Sequence, residues 1–132
     1  MNKDVQQNSI NAIFGWIGGK RLLRQKISPF VPEQDLPIKS RKLKYYVEVF
    51  GGVAWMLLFK ERWFESEVYN DYNNELTNLF NVIKFHPKEF IKQFCFLPQS
   101  QNMFEYLLNN ETLTDIQKAV KTYYKYAYSF SS

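Results

Sequence analysis

The sequence predicts an α/β fold in which a small parallel sheet gives way to helices, and three observations predict it. The run Tyr45-Tyr46-Val47-Glu48-Val49 is β-rich, ends in Phe50-Gly51-Gly52, and passes into a helical pattern from Val53 to Trp63. A second run, Glu67-Val68-Tyr69-Asn70-Asp71, is followed by another helical pattern from about Asn74. After Asp71 the periodicity is helical throughout. A strand, a tight turn and a helix, then a second strand, make a unit with parallel strands.

The turn between the first strand and helix carries chemical information. Glycines 51 and 52 allow positive φ and leave no Cβ to hold a ligand away from the backbone. The helix start behind them offers unpaired N–H groups and a positive dipole end. Asp71 follows at about 20 residues, the interval at which a Rossmann-like fold places the acid that takes ribose hydroxyls. The spacing points to an adenosine-containing cofactor.

Composition sets the bounds. At 132 residues, 45% hydrophobic and 18% aromatic, the chain can bury a core and is not disordered. A single cysteine, Cys95, excludes an internal disulfide and suits a reducing cytoplasm. It lies in the apolar run Phe94-Cys95-Phe96 and reads as a buried, inert thiol. No apolar run reaches spanning length, and the polar start lacks a signal-peptide core, so a soluble, cytoplasmic protein without a membrane partner is expected. His86 has no Cys or carboxylate near it in the sequence, and no metal site is expected.

The charge is uneven. Residues 1–44 hold nine Lys and Arg against three Asp and Glu, whereas the rest of the chain is slightly acidic. A basic N-terminal third suits a phosphate backbone and equally suits an ordinary solvated surface.

The remaining elements follow in order. Phe14-Gly15-Trp16-Ile17-Gly18-Gly19-Lys20 is a second glycine-rich turn, opening a helix over 20–30 with Leu22, Leu23, Ile27 and Phe30 on one face. Pro32 and Pro37 bracket a polar loop. After the strands at 44–49 and 66–70, Leu76, Leu79, Phe80 and Ile83 stripe a helix that His86-Pro87 breaks. Pro87 suits the first helical position of the next segment. A short helix over 102–108 follows, and Thr114-x-x-Gln117 is a capping box for the last one. That helix should turn Ile116, Val120, Tyr123, Ala127 and Phe130 inward. A two-stranded parallel sheet is not a stable layer. The strand at 44–49 is therefore expected to be central in a larger sheet, and the chain to be a fragment of a longer protein.

Three motifs in order carry a family resemblance. Trp16-Ile17-Gly18-Gly19-Lys20 resembles the W-x-G-G-K signature of the Dam-type (D12 class) DNA adenine N6-methyltransferases. Val47-Glu48-Val49-Phe50-Gly51-Gly52-Val53-Ala54 is similar to their V-E-P-F-x-G-x-G motif, and Asn70-Asp71-Tyr72-Asn73-Asn74-Glu75-Leu76 to their A-D-x-N-x-x-L motif. Val49 stands in place of the usual proline, and Ala54 in place of the last glycine.

The resemblance implies a bacterial or phage-type enzyme that transfers methyl from S-adenosylmethionine to N6 of adenine in duplex DNA. The fold implied is an incomplete Rossmann-like S-adenosylmethionine-dependent methyltransferase core over 1–85, with the start of a helical target-recognition region over 86–132. Trp16, Gly18, Gly19, Lys20, Glu48, Phe50, Gly51, Gly52, Asp71 and Tyr72 would hold the cofactor, Asp71 through the ribose hydroxyls. Lys20, Arg21, Arg24, Lys39, Arg41 and Lys42 would track DNA phosphates. The family's catalytic D-P-P-Y tetrapeptide occurs nowhere in the 132 residues, so no catalytic residue is assigned and the chain alone is expected to be inactive. Association with a missing C-terminal half or a second copy would cover the open sheet edge. Two other readings remain. One is a non-catalytic or split-subunit module binding S-adenosylmethionine or DNA; the other is an unrelated nucleotide- or DNA-binding module, with no preference for S-adenosylmethionine over ATP or NAD.

Overall fold

A computed structural model describes residues 12–15, 18–95, 97–98, 100–110 and 114–128. The chain divides into two compact units, Met1–Asp71 and Tyr72–Ser132. This division of packing falls earlier than the division of roles expected at 85/86, because the helix after Asp71 packs on the last helix of the chain.

In the first unit, strand β1 (Tyr45–Glu48) pairs in parallel with β2 (Ser66–Tyr69), Val47 opposite Val68. Tyr45, Val47 and Val68 are exposed, so neither strand is buried as a parallel strand usually is. The core lies at one side of the pair. Met56, Trp63 and Phe64 are buried there, with Val31, Tyr46 and Phe59 packed on them. Tyr46 stacks on Trp63 at 5.7 Å, and the Trp63 indole donates to the Met56 carbonyl at 2.6 Å.

The helix expected over 53–63 does not form. Turns and a single 3-10 turn, Leu57–Phe59, replace it. The cause is that Val53, Ala54, Trp55 and Met56 are all buried in succession, which a one-faced helix cannot arrange. Gly52 and Ala54 meet this demand with positive φ, 51° and 58°. The helix over 20–30 also shrinks, to α1 (Arg24–Ile27) followed by a 3-10 turn, Ser28–Phe30. Its expected inner face is outside: Leu22, Leu23, Ile27 and Phe30 are exposed.

The loop between Pro32 and Pro37 is tied rather than loose. The Arg41 guanidinium donates to the carbonyls of Leu36, Gln34 and Trp63. Glu33 accepts the N–H groups of Lys42 and Leu43 at 2.8 and 3.1 Å.

In the second unit the helices stand where periodicity and caps put them. The Asn73 side chain accepts from the N–H groups of Glu75 and Leu76 and starts α2 (Asn74–Phe85). Leu76, Leu79 and Val82 are its buried face. Pro87 opens α3 (Pro87–Phe94), and Ser100 caps α4 (Gln101–Asn109). The Thr114–Gln117 box forms in both directions, at 3.2 and 3.1 Å, and opens α5 (Asp115–Tyr128). Phe90, Phe94 and Tyr123 meet edge to face at 5.1–6.1 Å.

Two expectations fail here. Of the stripe expected to face inward on α5, Val120 is buried, but its buried companions are Ala119, Thr122 and Tyr124, while Ile116, Tyr123 and Ala127 are half-buried. Thr122 can be buried because its hydroxyl donates back to the Lys118 carbonyl at 2.8 Å, and the Tyr124 hydroxyl reaches the Pro98 carbonyl at 3.0 Å. Phe130 lies outside the described residues. Cys95 is exposed, since it falls in the turn after α3 rather than on its inner face.

Candidate functional site

The two strands end side by side, and the residues just beyond them converge on the glycine turn. Gly51 donates to the Asn70 carbonyl at 2.9 Å, and Gly52 donates to Asp71 Oδ2 at 2.7 Å. The Tyr69 hydroxyl donates to the Gly52 carbonyl at 2.8 Å. From the other side, Lys20 Nζ donates to the Phe50 carbonyl and lies 3.5 Å from Glu48 Oε1. The second Glu48 oxygen accepts the Leu57 N–H at 2.9 Å. Two strand ends, one turn and one lysine are thus bound into a single structure.

The glycines serve different needs. Gly18 and Gly52 have φ of +72° and +51°, the region that favours glycine. Around Gly18 a Cβ would meet nothing within 4 Å, so there the backbone conformation alone asks for glycine. A Cβ on Gly51 would stand 2.3 Å from Tyr69 Cε2, so there the space is already taken.

Burial pushes the Glu48 carboxyl above its ordinary value; the Leu57 N–H and the Lys20 charge pull it back. Burial, with Asp71 and Glu48 nearby, also pushes the Tyr69 hydroxyl up, so it remains a donor at neutral pH. Beside this turn a cavity of about 400 Å³ runs along β1. Its lining includes Lys20, Glu48 and Phe50 together with the apolar side chains of Phe30, Val31 and Met56.

The structure therefore brings together Lys20, Glu48, Phe50, Gly51, Gly52 and Asp71. Phe50 is exposed. Tyr72 opens the second unit with an exposed side chain, and Trp16 lies outside the described residues. Gly19 is half-buried beside Lys20 in sequence. Sequence reasoning missed Tyr69, although its place two residues before Asp71 puts both on one side of the extended chain.

The phosphate-tracking set divides. Arg21, Lys39 and Lys42 are exposed, Arg21 with its guanidinium 5.8 Å from the Trp55 ring. Arg41 is a correction: it is buried and committed to three carbonyls, out of reach of a phosphate. Arg24 is half-buried, with its guanidinium 5.0 Å from the Trp55 ring and 4.9 Å from the Phe59 ring. Lys20 is held at the glycine turn. Among the described residues no group of three or more His, Cys, Asp or Glu is placed to hold a metal, and no helix is long and apolar enough to cross a membrane.

A glycine turn thus lies between the ends of two parallel strands, closed by an acid just beyond the second, and sequence comparison gives the class. The model of the D12 class N6 adenine-specific DNA methyltransferases matches residues 16–131, and the chain belongs to that family. It is similar to Type II methyltransferase M1.LlaDCHI of Lactococcus lactis subsp. cremoris, with 34% identity over 108 residues. The match covers 80% of this chain and 34% of the relative, so the chain spans about a third of that curated relative's length.

Proposed function

We propose that the chain provides the S-adenosylmethionine half-site of a DNA adenine N6-methyltransferase. The observation that carries this is the Gly51-Gly52 turn, which sits between the ends of two parallel strands with Asp71 bonded to the Gly52 N–H. Ligands of open α/β sheets bind beyond the carboxyl ends of the strands. The adjoining cavity has a volume in the range of small-molecule pockets and an apolar lining with a few polar groups. These residues fit a molecule with a flat apolar ring system and charged ends.

In this reading Asp71 takes the ribose hydroxyls, a carboxylate being well matched to two vicinal donors. Lys20 and Glu48 fix the direction of the strand end, and Phe50 forms the wall of the methionine portion, with Trp16 and the Gly18-Gly19 turn closing the pocket. When bound, S-adenosylmethionine supplies the activated methyl group. The chain's own residues bind and orient it, while a D-P-P-Y set of acceptors for the adenine amino group is not among the 132 residues. Residues 1–85 are the incomplete Rossmann-like core and 86–132 the start of target recognition. The exposed face of Tyr45, Val47 and Val68 supports a covering layer supplied by the rest of the methyltransferase. Arg21, Lys39 and Lys42 remain the phosphate contacts of a cytoplasmic, DNA-binding protein.

Calorimetric titration of the chain with S-adenosylmethionine, beside ATP and NAD, tests the reading. Saturable binding of S-adenosylmethionine alone, lost in Asp71→Ala, is expected. Equal binding of ATP or NAD, or unchanged affinity in Asp71→Ala, contradicts it.

A further inference from the structure

The glycine turn is shaped by a residue that none of the motifs contains. Tyr69 ends β2, with its ring over Gly51 and its hydroxyl on the Gly52 carbonyl at 2.8 Å. A Cβ at position 51 would lie 2.3 Å from Cε2, 2.7 Å from Cδ2 and 3.2 Å from Cζ of that ring. Contacts under 3 Å force something to move, and here the obstacle is the flat body of an aromatic ring tethered at its far end by a hydrogen bond. Gly51 is absent from the positive-φ glycines, so its backbone conformation does not ask for glycine. The tyrosine does.

We propose that Tyr69 is the positioning residue of the cofactor turn: its ring excludes every residue but glycine at 51, and its hydroxyl sets the direction of the Gly52 peptide. The Gly52 N–H, which belongs to the neighbouring Gly51–Gly52 peptide, meets Asp71 Oδ2 at 2.7 Å, and Gly51 is held through its own N–H on the Asn70 carbonyl. Three consecutive residues at the end of β2, Tyr69 by its hydroxyl, Asn70 by its carbonyl and Asp71 by its carboxylate, thus hold two consecutive glycines. The Ala54 N–H on the Gly51 carbonyl at 2.8 Å completes the turn, so a shift at 51 passes directly to the buried Ala54. Gly51 therefore answers to this chain's own tyrosine rather than to close approach of a ligand. That the turn so held binds S-adenosylmethionine rests on the function proposed above; the lock itself does not.

The test is a double-mutant cycle on the 132-residue chain, with Gly51→Ala, Tyr69→Val and the pair, read by thermal midpoint and by amide exchange at Gly52 and Ala54. Gly51→Ala alone should lower the midpoint and speed both amides. In the Tyr69→Val background the same substitution should have less than half that effect. Tyr69→Phe, which keeps the ring and removes the hydroxyl, should leave the midpoint near wild type. It should speed exchange at Gly52 by about tenfold, roughly the factor that one net hydrogen bond supplies. It should weaken S-adenosylmethionine binding several-fold. An equal effect of Gly51→Ala in both backgrounds overturns the steric role. Unchanged Gly52 exchange in Tyr69→Phe overturns the hydroxyl's role. If the wild-type chain is folded and takes no S-adenosylmethionine, the cofactor reading fails instead, and the cycle and exchange data still decide the lock.

Discussion

The two compact units are built by different means. The second, residues 72–132, has four helices among its described residues, α2, α4 and α5 opened by side-chain caps and α3 by Pro87, with Leu76, Leu79, Val82, Phe90 and Val120 buried. The first, residues 1–71, has two four-residue strands and a single four-residue α-helix among its described residues. Its turns and loops are fixed by side chains bonded to distant backbone groups: Arg41 to Trp63, Lys20 to Phe50, Asp71 and Tyr69 to Gly52, Glu48 to Leu57. Periodic burial organises one unit, whereas side-chain-to-backbone bonds organise the other. The candidate site lies in the unit with the less regular structure, where loops held on a small scaffold carry function.

This contrast can be broken by substitution, because all three tryptophans, Trp16, Trp55 and Trp63, belong to the first unit, so indole emission reports on it while far-UV dichroism is dominated by helices. The largest effect is expected from Leu79→Ala, which empties a fully buried position on α2. It should cost about 3–4 kcal/mol, seen as loss of helical dichroism in urea titration. Arg41→Met should come next. It leaves three carbonyls without their donor and should cost about 2–3 kcal/mol, read through tryptophan emission. A helix-style account of the first unit, in which Arg41 is a surface charge, expects almost no change. Thr114→Ala removes one half of the capping box on α5 and should cost about 1 kcal/mol.

The smallest effect concerns pH. Glu48 has a raised folded value, so the folded state holds its proton more tightly than the unfolded chain does. The stability it contributes is present in acid and is lost as pH rises from the ordinary carboxyl range through the raised value. Glu48→Gln should flatten that slope in denaturation curves collected across the carboxyl range and above it.

What was legible in the sequence follows the same division. Pro87 and the Thr114–Gln117 box act locally, within a turn of the backbone they organise, so they can be read from spacing. The parallel strands were legible through their β-rich runs, and Asp71 through its interval from the glycines. The helix expected over 53–63 was not a helix, because consecutive burial of Val53 to Met56 depends on a core assembled from distant residues. Leu22 and Phe30 were given an inner face by periodicity, yet nothing among the described residues covers them. Arg41 was read as a surface cation because its carbonyl partner at Trp63 is 22 positions away. The role of Tyr69 is hidden for the same reason, since its contacts at Gly51 and Gly52 exist only once the strands are side by side.

The account stands or falls on where S-adenosylmethionine meets this chain. Backbone amide shifts followed by NMR during titration with S-adenosylmethionine test that most directly. The expected result is a saturable set of shifts confined to Lys20, the segment 48–54 and residues 69–72, abolished by Asp71→Ala. Shifts centred instead on helices α3 to α5, or no shifts in a chain shown to be folded, would contradict it.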